Sequence, residues 1–217
     1  MTVDGPTPQS ECAHIAAGVA RTVAEGSAEV TVLLEYSFPG EAADDALPAE
    51  MSSQYRGVVD FRSDRAWLTD ASTSLILDGS MTYQKMPDGV WTHTRHAQRA
   101  GHWTPTHPRW ALEVLRQGCR SAAPDDEPDV VQLDRDRAAD VTHPGLNPDW
   151  QLRARTVFDD DGRLRRVEIV MAGSASPDTS MRTTVEFTRF DQAAAQIDLP
   201  LESVDLTGYL DAPSLKQ

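Results

Sequence analysis

The stretch from Trp150 to Gln192 constrains the fold more than any other part of the chain. It reads as three consecutive antiparallel strands. Thr156, Val157 and Phe158 run into Asp159-Asp160-Asp161-Gly162, which is turn chemistry. Asp bonds its own main chain and tolerates a left-handed backbone, and Gly has no Cβ to clash at positive φ. Val167, Ile169 and Met171 then share one face of the next strand, two residues apart. After a Ser-, Pro- and Asp-containing loop, Val185 and Phe187 share a face, with Thr184, Glu186 and Thr188 on the other. A sheet with one apolar face needs cover, and the rest of the chain has to supply it.

The preceding residues read as a helix, a meander and a second helix. Ser10 is the expected N-cap of the first helix, with Glu11 in its first turn. Cys12, Ile15, Ala16, Val19, Ala20 and Val23 form its apolar stripe, and Gly26 stops it. Residues 27–38 alternate as a strand through Val30, Val32, Leu34, Tyr36 and Phe38. After an acidic loop at 39–49, short strands follow. Tyr55, Val59 and Phe61 are in phase in the first, and Asp78-Gly79 and Pro87-Asp88-Gly89 mark hairpin turns between later ones. Met81, Tyr83 and Lys85 alternate in one of these strands, and Trp91 lies in the next. Pro108 opens the second helix, whose stripe is Trp110, Ala111, Val114 and Leu115, with Gly118 as its expected C-cap. Residues 121–128 read as an acidic linker, and Val130, Val131 and Leu133 resume sheet. The division expected is a flexible leader at 1–9, one domain at 10–206 and a flexible tail at 207–217.

Composition limits the partners. The chain has 217 residues, 40% of them hydrophobic, and a net charge of −14. Nucleic acid and anionic membrane surfaces are repelled by that balance. Cys12 and Cys119 make neither a zinc motif nor a disulfide framework, and whether they pair stays open. Residues 1–6, Met-Thr-Val-Asp-Gly-Pro, lack the basic and apolar regions of a signal peptide, and no lipobox precedes Cys12. The expected location is therefore cytoplasmic, with an exported protein already trimmed of its leader as the alternative.

The order of elements resembles the LolA/LppX-like lipoprotein carriers. Four stretches carry the likeness: residues 56–61 (Arg-Gly-Val-Val-Asp-Phe), the helix at 108–115, the hairpin at 158–167, and 184–190 followed by 199–204 (Leu-Pro-Leu-Glu-Ser-Val). Together they extend over residues 10–206. The resemblance implies an α+β fold, a single curved antiparallel sheet forming a half-open barrel, with helices on its concave face. It also implies an apolar cavity between sheet and helices that holds a hydrophobic or amphipathic, lipid-like molecule.

Sequence motifs for chemistry are sparse. Asp159, Asp161, Gly162 and Glu168 match part of a calcium loop, but Val157 stands at its first position and the flanks have strand period. A β-turn is expected instead. His93, His96, His102 and His107 could gather round a metal, yet His93 and His96 would face opposite ways on one strand and Arg95, Arg99 and Arg109 stand close by. No metal and no cofactor is expected. The expected ligand lining is Val32, Leu34, Tyr36, Val59, Phe61, Leu77, Tyr83, Trp91, Trp110, Val114 and Phe187. Trp110 either caps an open space or fills a solid core. Besides binding, two other uses of the cavity fit the residues: a motif-less enzyme acting on a lipophilic intermediate, such as a cyclase, isomerase or hydrolase, and a regulatory sensor.

Overall fold

The computed structural model describes residues 8–37, 50–95, 104–122, 130–138, 150–173, 179–191 and 197–207. Helix α1 spans Pro8–Ala24. Strands β1 (Ser27–Ser37), β2 (Glu50–Asp60), β3 (Arg65–Thr69), β4 (Ser74–Asp78), β5 (Met81–Lys85) and β6 (Trp91–Arg95) follow as a meander. Helix α2 (Pro108–Gly118) leads through β7 (Cys119–Ala122) and β8 (Val130–Leu133) to α3 (Arg135–Ala138). The expected three strands are β9 (Trp150–Phe158), β10 (Leu164–Gly173) and β11 (Ser180–Thr188), and a short β12 (Val204–Asp205) ends the order.

The twelve strands of the described residues form one open sheet, in the order β12-β6-β5-β4-β3-β2-β1-β11-β10-β9-β8-β7. The meander builds one half outwards from β1. The second half returns inwards from β7 and closes by pairing β11 with β1 antiparallel. Every pairing is antiparallel except the edge pair β12–β6. This is the expected architecture: one largely antiparallel sheet with helices on one face.

The sheet is curved, and burial shows why. Leu75 and Leu77 of β4 and Leu133 of β8 belong to one core with α1 and α2 residues such as Ile15 and Trp110. Eight strands separate those edges, inclusively. At about 4.8 Å per strand a flat sheet would hold them about 34 Å apart. Helices about 10 Å across could not bridge a flat surface of that width. The sheet has to wrap.

Local chemistry explains the ends. Asp159 Oδ1 accepts from the Asp161 and Arg163 backbone N–H groups at 3.1 and 2.9 Å. Gly162 takes φ +73°, as the turn requires. The former calcium-loop match is therefore a β-hairpin turn. Thr22 Oγ1 accepts from Leu164 N–H at 2.8 Å, which seats α1 on that hairpin.

Three boundaries differ from the expected ones, and one open pairing is resolved. Helix α1 starts at Pro8, so Ser10 lies inside the helix and is not its cap. Proline is preorganised for a first turn, and that outweighs the Ser cap signal. The chain passes from α2 straight into β7, with the C-cap at Cys119. Gly118 is needed for space: a Cβ there would lie 3.2 Å from the Ala138 Cβ and 3.4 Å from the Leu133 Cβ. The mixed-charge residues after Leu133 form α3, whose first N–H groups are capped by Asp134 Oδ1. Lastly, Cys12 and Cys119 are joined in a disulfide that ties α1 to the α2–β7 junction.

Candidate functional site

Strand register sorts the expected lining residues onto faces. One inner row runs Phe187, Val30, Gly57, Leu68, Leu75, Gln84 and Thr92 across successive strands. The next runs Val59, Ala66, Leu77, Thr82 and Thr94. The inner face is thus aliphatic as far as β4 and turns polar at β5 and β6. Leu77 pairs with Thr82, while Tyr83 pairs with Ile76 and His93. Tyr83 therefore lies on the outer face, and so does Trp91, which pairs with Lys85. The side-chain period of two puts Leu77 and Tyr83 on opposite sides of the sheet. Either phase of β5 was compatible with its short mixed sequence, and the aromatic phase faces out.

The other expected residues converge. Val32, Val59, Val114 and Phe187 are 0% exposed, and Trp110 is 1% exposed. Leu34, Phe61 and Leu77 are also buried in the same cluster, and Tyr36 packs against its edge. Side chains with no exposure to a water-sized probe touch no void that could hold water. Beneath the helices these residues form packed core rather than the walls of an open space.

The cover thins at one end of the sheet. A third inner row runs Leu152, Met171, Met181, Tyr36 and Met51. Along it exposure rises from 2% at Met171 to 8% at Met181 and 44% at Met51. Tyr36 and Tyr55 are half-buried on the same face. Burial, and then the neighbouring phenol of Tyr55, push Tyr36 above its ordinary pKa. Burial, and then the Asp70 carboxylate, do the same to Tyr55. Both are neutral phenols that can donate a hydrogen bond. Sequence reading named Tyr36 but missed the methionines. The alternation of Met171 with Ile169 and Val167 was the available signal.

Two depressions open at this same end of the sheet. One, of 460 Å³, is lined by Tyr36, Glu35, Glu50, Met51, Ser180 and Arg182 among others. The other, of 520 Å³, includes Ser53, Gln54, Arg56, Thr69 and Asp70, and Ser52 belongs to both. Arg182 faces Glu35 and Glu168 at 3.7 and 3.8 Å, so the rim is polar and charge-balanced.

Among the described residues, His93 and His107 do not come together. His96 and His102 lie outside the described residues. His93 lies on the outer face of β6, whereas His107 is fully buried as the N-cap of α2, accepting from Arg109 N–H at its Nδ1. Burial pushes His107 from an ordinary pKa of 6.5 down to about 3. The folded value lies below the unfolded one, so the contribution to stability is complete above pH 6.5 and is lost as pH falls towards 3. Between pH 7 and pH 5 this group alone is expected to lower stability by about 2 kcal/mol. Urea unfolding of wild type and His107→Asn at both pH values checks this, because Asn can still cap the helix but does not titrate. An unchanged pH slope in the variant would refute it.

No family model and no curated sequence matches the chain. Among solved structures it is similar to LprF from Mycobacterium bovis, with 13% identity, 90% of this chain and 98% of that chain covered, and a TM-score of 0.43. It is also similar to a DUF1329 family protein from Desulfovibrio piger, with 7% identity, 87% and 95% coverage, and a TM-score of 0.35. Likeness at this level concerns general architecture and assigns no ligand.

Proposed function

We propose that the chain binds a hydrophobic or amphipathic small molecule at the open end of the inner sheet face. The observation that carries this reading is the Met171–Met181–Tyr36–Met51 row, along which exposure rises from 2% at Met171 to 44% at Met51. Methionine is unbranched and polarizable, so it adapts to irregular apolar chains. Tyr36 and Tyr55 supply donors that would orient a polar end. Arg182 beside Glu35 balances the charge of the rim, which suits a neutral head group.

A titration with a fluorescent acyl probe bearing a neutral head group tests the site. Wild type is expected to bind saturably with one site per chain. Met51→Asp is expected to weaken binding by about tenfold, since it puts a charge against the chain. The same change should move stability by no more than about 0.5 kcal/mol, because the position is exposed. Absence of saturable binding, or an unaffected Met51→Asp variant, would remove the proposal.

We place this activity in an oxidising compartment. The Cys12–Cys119 bridge supports that reading over the cytoplasm expected from the leader, because reducing compartments keep such thiols open. Thiol titration of protein recovered from its native compartment decides it. Two free thiols per chain would return the protein to the cytoplasm.

A further inference from the structure

We propose that Ser203, His93 and Asp205 form a nucleophile, base and carboxylate site on the outer face of the sheet, suited to hydrolysing small apolar carboxylic esters. It lies on the opposite face from Tyr36 and Met51, so it stands independently of the ligand-binding reading.

The three groups meet because of the parallel edge pairing. Val204 pairs with Thr92 and Asp205 with His93. Ser203 and Asp205 are two residues apart and share a face, so they flank the one imidazole. His93 Nδ1 lies 2.9 Å from Ser203 Oγ. His93 Nε2 lies 3.6 Å from Asp205 Oδ1. The two partners thus use different ring nitrogens. A carboxylate beside Nε2 favours the tautomer with its proton there, which leaves the Nδ1 lone pair to accept from the serine hydroxyl. Hydrogen bonds from the Thr207 hydroxyl and backbone hold Asp205 below the ordinary carboxylate range, so it is ionised.

The site is held yet reachable. Leu206 N–H donates to His93 O at 2.8 Å, and Arg95 N–H donates to Thr207 Oγ1 at 2.9 Å. The Tyr83 ring lies 5.7 Å from the imidazole, whose side chain remains 20% exposed. Arg95, two residues along β6 on the same face, places a cation close enough to act on Asp205. It is the charge available to a developing oxyanion. Half-exposed Trp91 and fully exposed Leu201 give an acyl chain apolar contacts.

The step balances with water alone. Ser203 Oγ bonds to the ester carbonyl carbon as its proton passes to His93 Nδ1, and the carbonyl π pair moves onto oxygen. The tetrahedral species then breaks its bond to the alkoxide, which takes the proton from Nδ1 and leaves as alcohol. Water repeats the sequence on the acyl-serine, releasing the carboxylic acid and restoring Ser203. Asp205 acts through His93 and is a positioning residue.

The test uses the full chain with a fluorophosphonate probe and with p-nitrophenyl butyrate. One adduct per chain, mapped to Ser203, is expected for wild type. Ester kcat/KM is expected to fall about 100-fold or more in Ser203→Ala and in His93→Gln. Asp205→Asn should displace the pH profile of kcat/KM as well as lower it, which a merely structural contact would not do. No adduct at Ser203, or hydrolysis unchanged in Ser203→Ala, overturns the proposal and reduces the trio to a pin for β12. The labelling arm uses wild type only, so a variant that fails to fold does not spoil it.

Discussion

Trp110→Ala is expected to lower stability by about 3–5 kcal/mol while leaving probe binding at the Met51 end within a factor of two or so. The indole is 1% exposed and sits among Ala111, Leu112, Val114 and Leu115, all 0% exposed. Helix α2 is buried almost all round, and even Glu113 is drawn in. Its carboxylate bonds Arg116 at 2.7 Å and faces Arg109 at 3.8 Å, which offsets its desolvation. Removing the indole leaves a hole that this fixed surround cannot fill, so a cavity cost adds to the lost burial. The wild type and variant unfolding midpoints measure the first effect, and the probe titration measures the second. A stable variant with altered uptake would mean that Trp110 borders the ligand after all, and would move the site beneath the helices.

How much was legible depends on how strongly each segment states its period. The β9–β10–β11 stretch shows clear alternation in β10 and β11 and carries Asp159 and Gly162 at the turn, so its strand order and the inward residues of β10 and β11 followed from sequence. Helix α2 was bounded well because Pro108 marks its start. Strand β5 is the opposite case. Its inner residues, Thr82 and Gln84, are polar, and its outer ones, Met81 and Tyr83, are not, so hydrophobicity pointed to the wrong face. Strand β7 and helix α3 are four residues each, too short to establish any period. The candidate sites were less legible than the fold. Tyr36 was accessible to pattern reading because it continues the Val30–Val32–Leu34 phase. The encounter of His93 with Ser203 spans 110 residues and arises from a two-residue parallel pairing that no local signal announces. The open end of the methionine row depends on where cover stops, which is a property of the packed molecule.

Reducing the Cys12–Cys119 bridge, or replacing both cysteines by serine, is expected to lower stability by about 3–5 kcal/mol. The bridge spans 107 residues of sequence, from the beginning of α1 to the end of α2. It therefore closes a loop containing the entire β1–β6 meander and α2. Most of the effect lies in the unfolded chain, which regains the freedom that so long a loop denies it. In the folded state α1 keeps other anchors, namely the buried Ile15 and Val19 and the Thr22–Leu164 hydrogen bond. The reduced protein should therefore still fold, with its core intact and the first turns of α1 fraying in hydrogen exchange. An expanded unfolded state exposes more surface, so the urea dependence should steepen as the midpoint falls. A lower midpoint with an unchanged slope would place the effect in native packing around α1 instead. Identical unfolding curves with and without dithiothreitol would show that the two thiols are not joined, and would remove the support for an oxidising compartment. A loss of this size is a large part of the 5–15 kcal/mol typical of a domain. The reduced chain folds with a thinner margin, so in moderate urea ligand binding at Met51 should rise in step as the thiols are consumed.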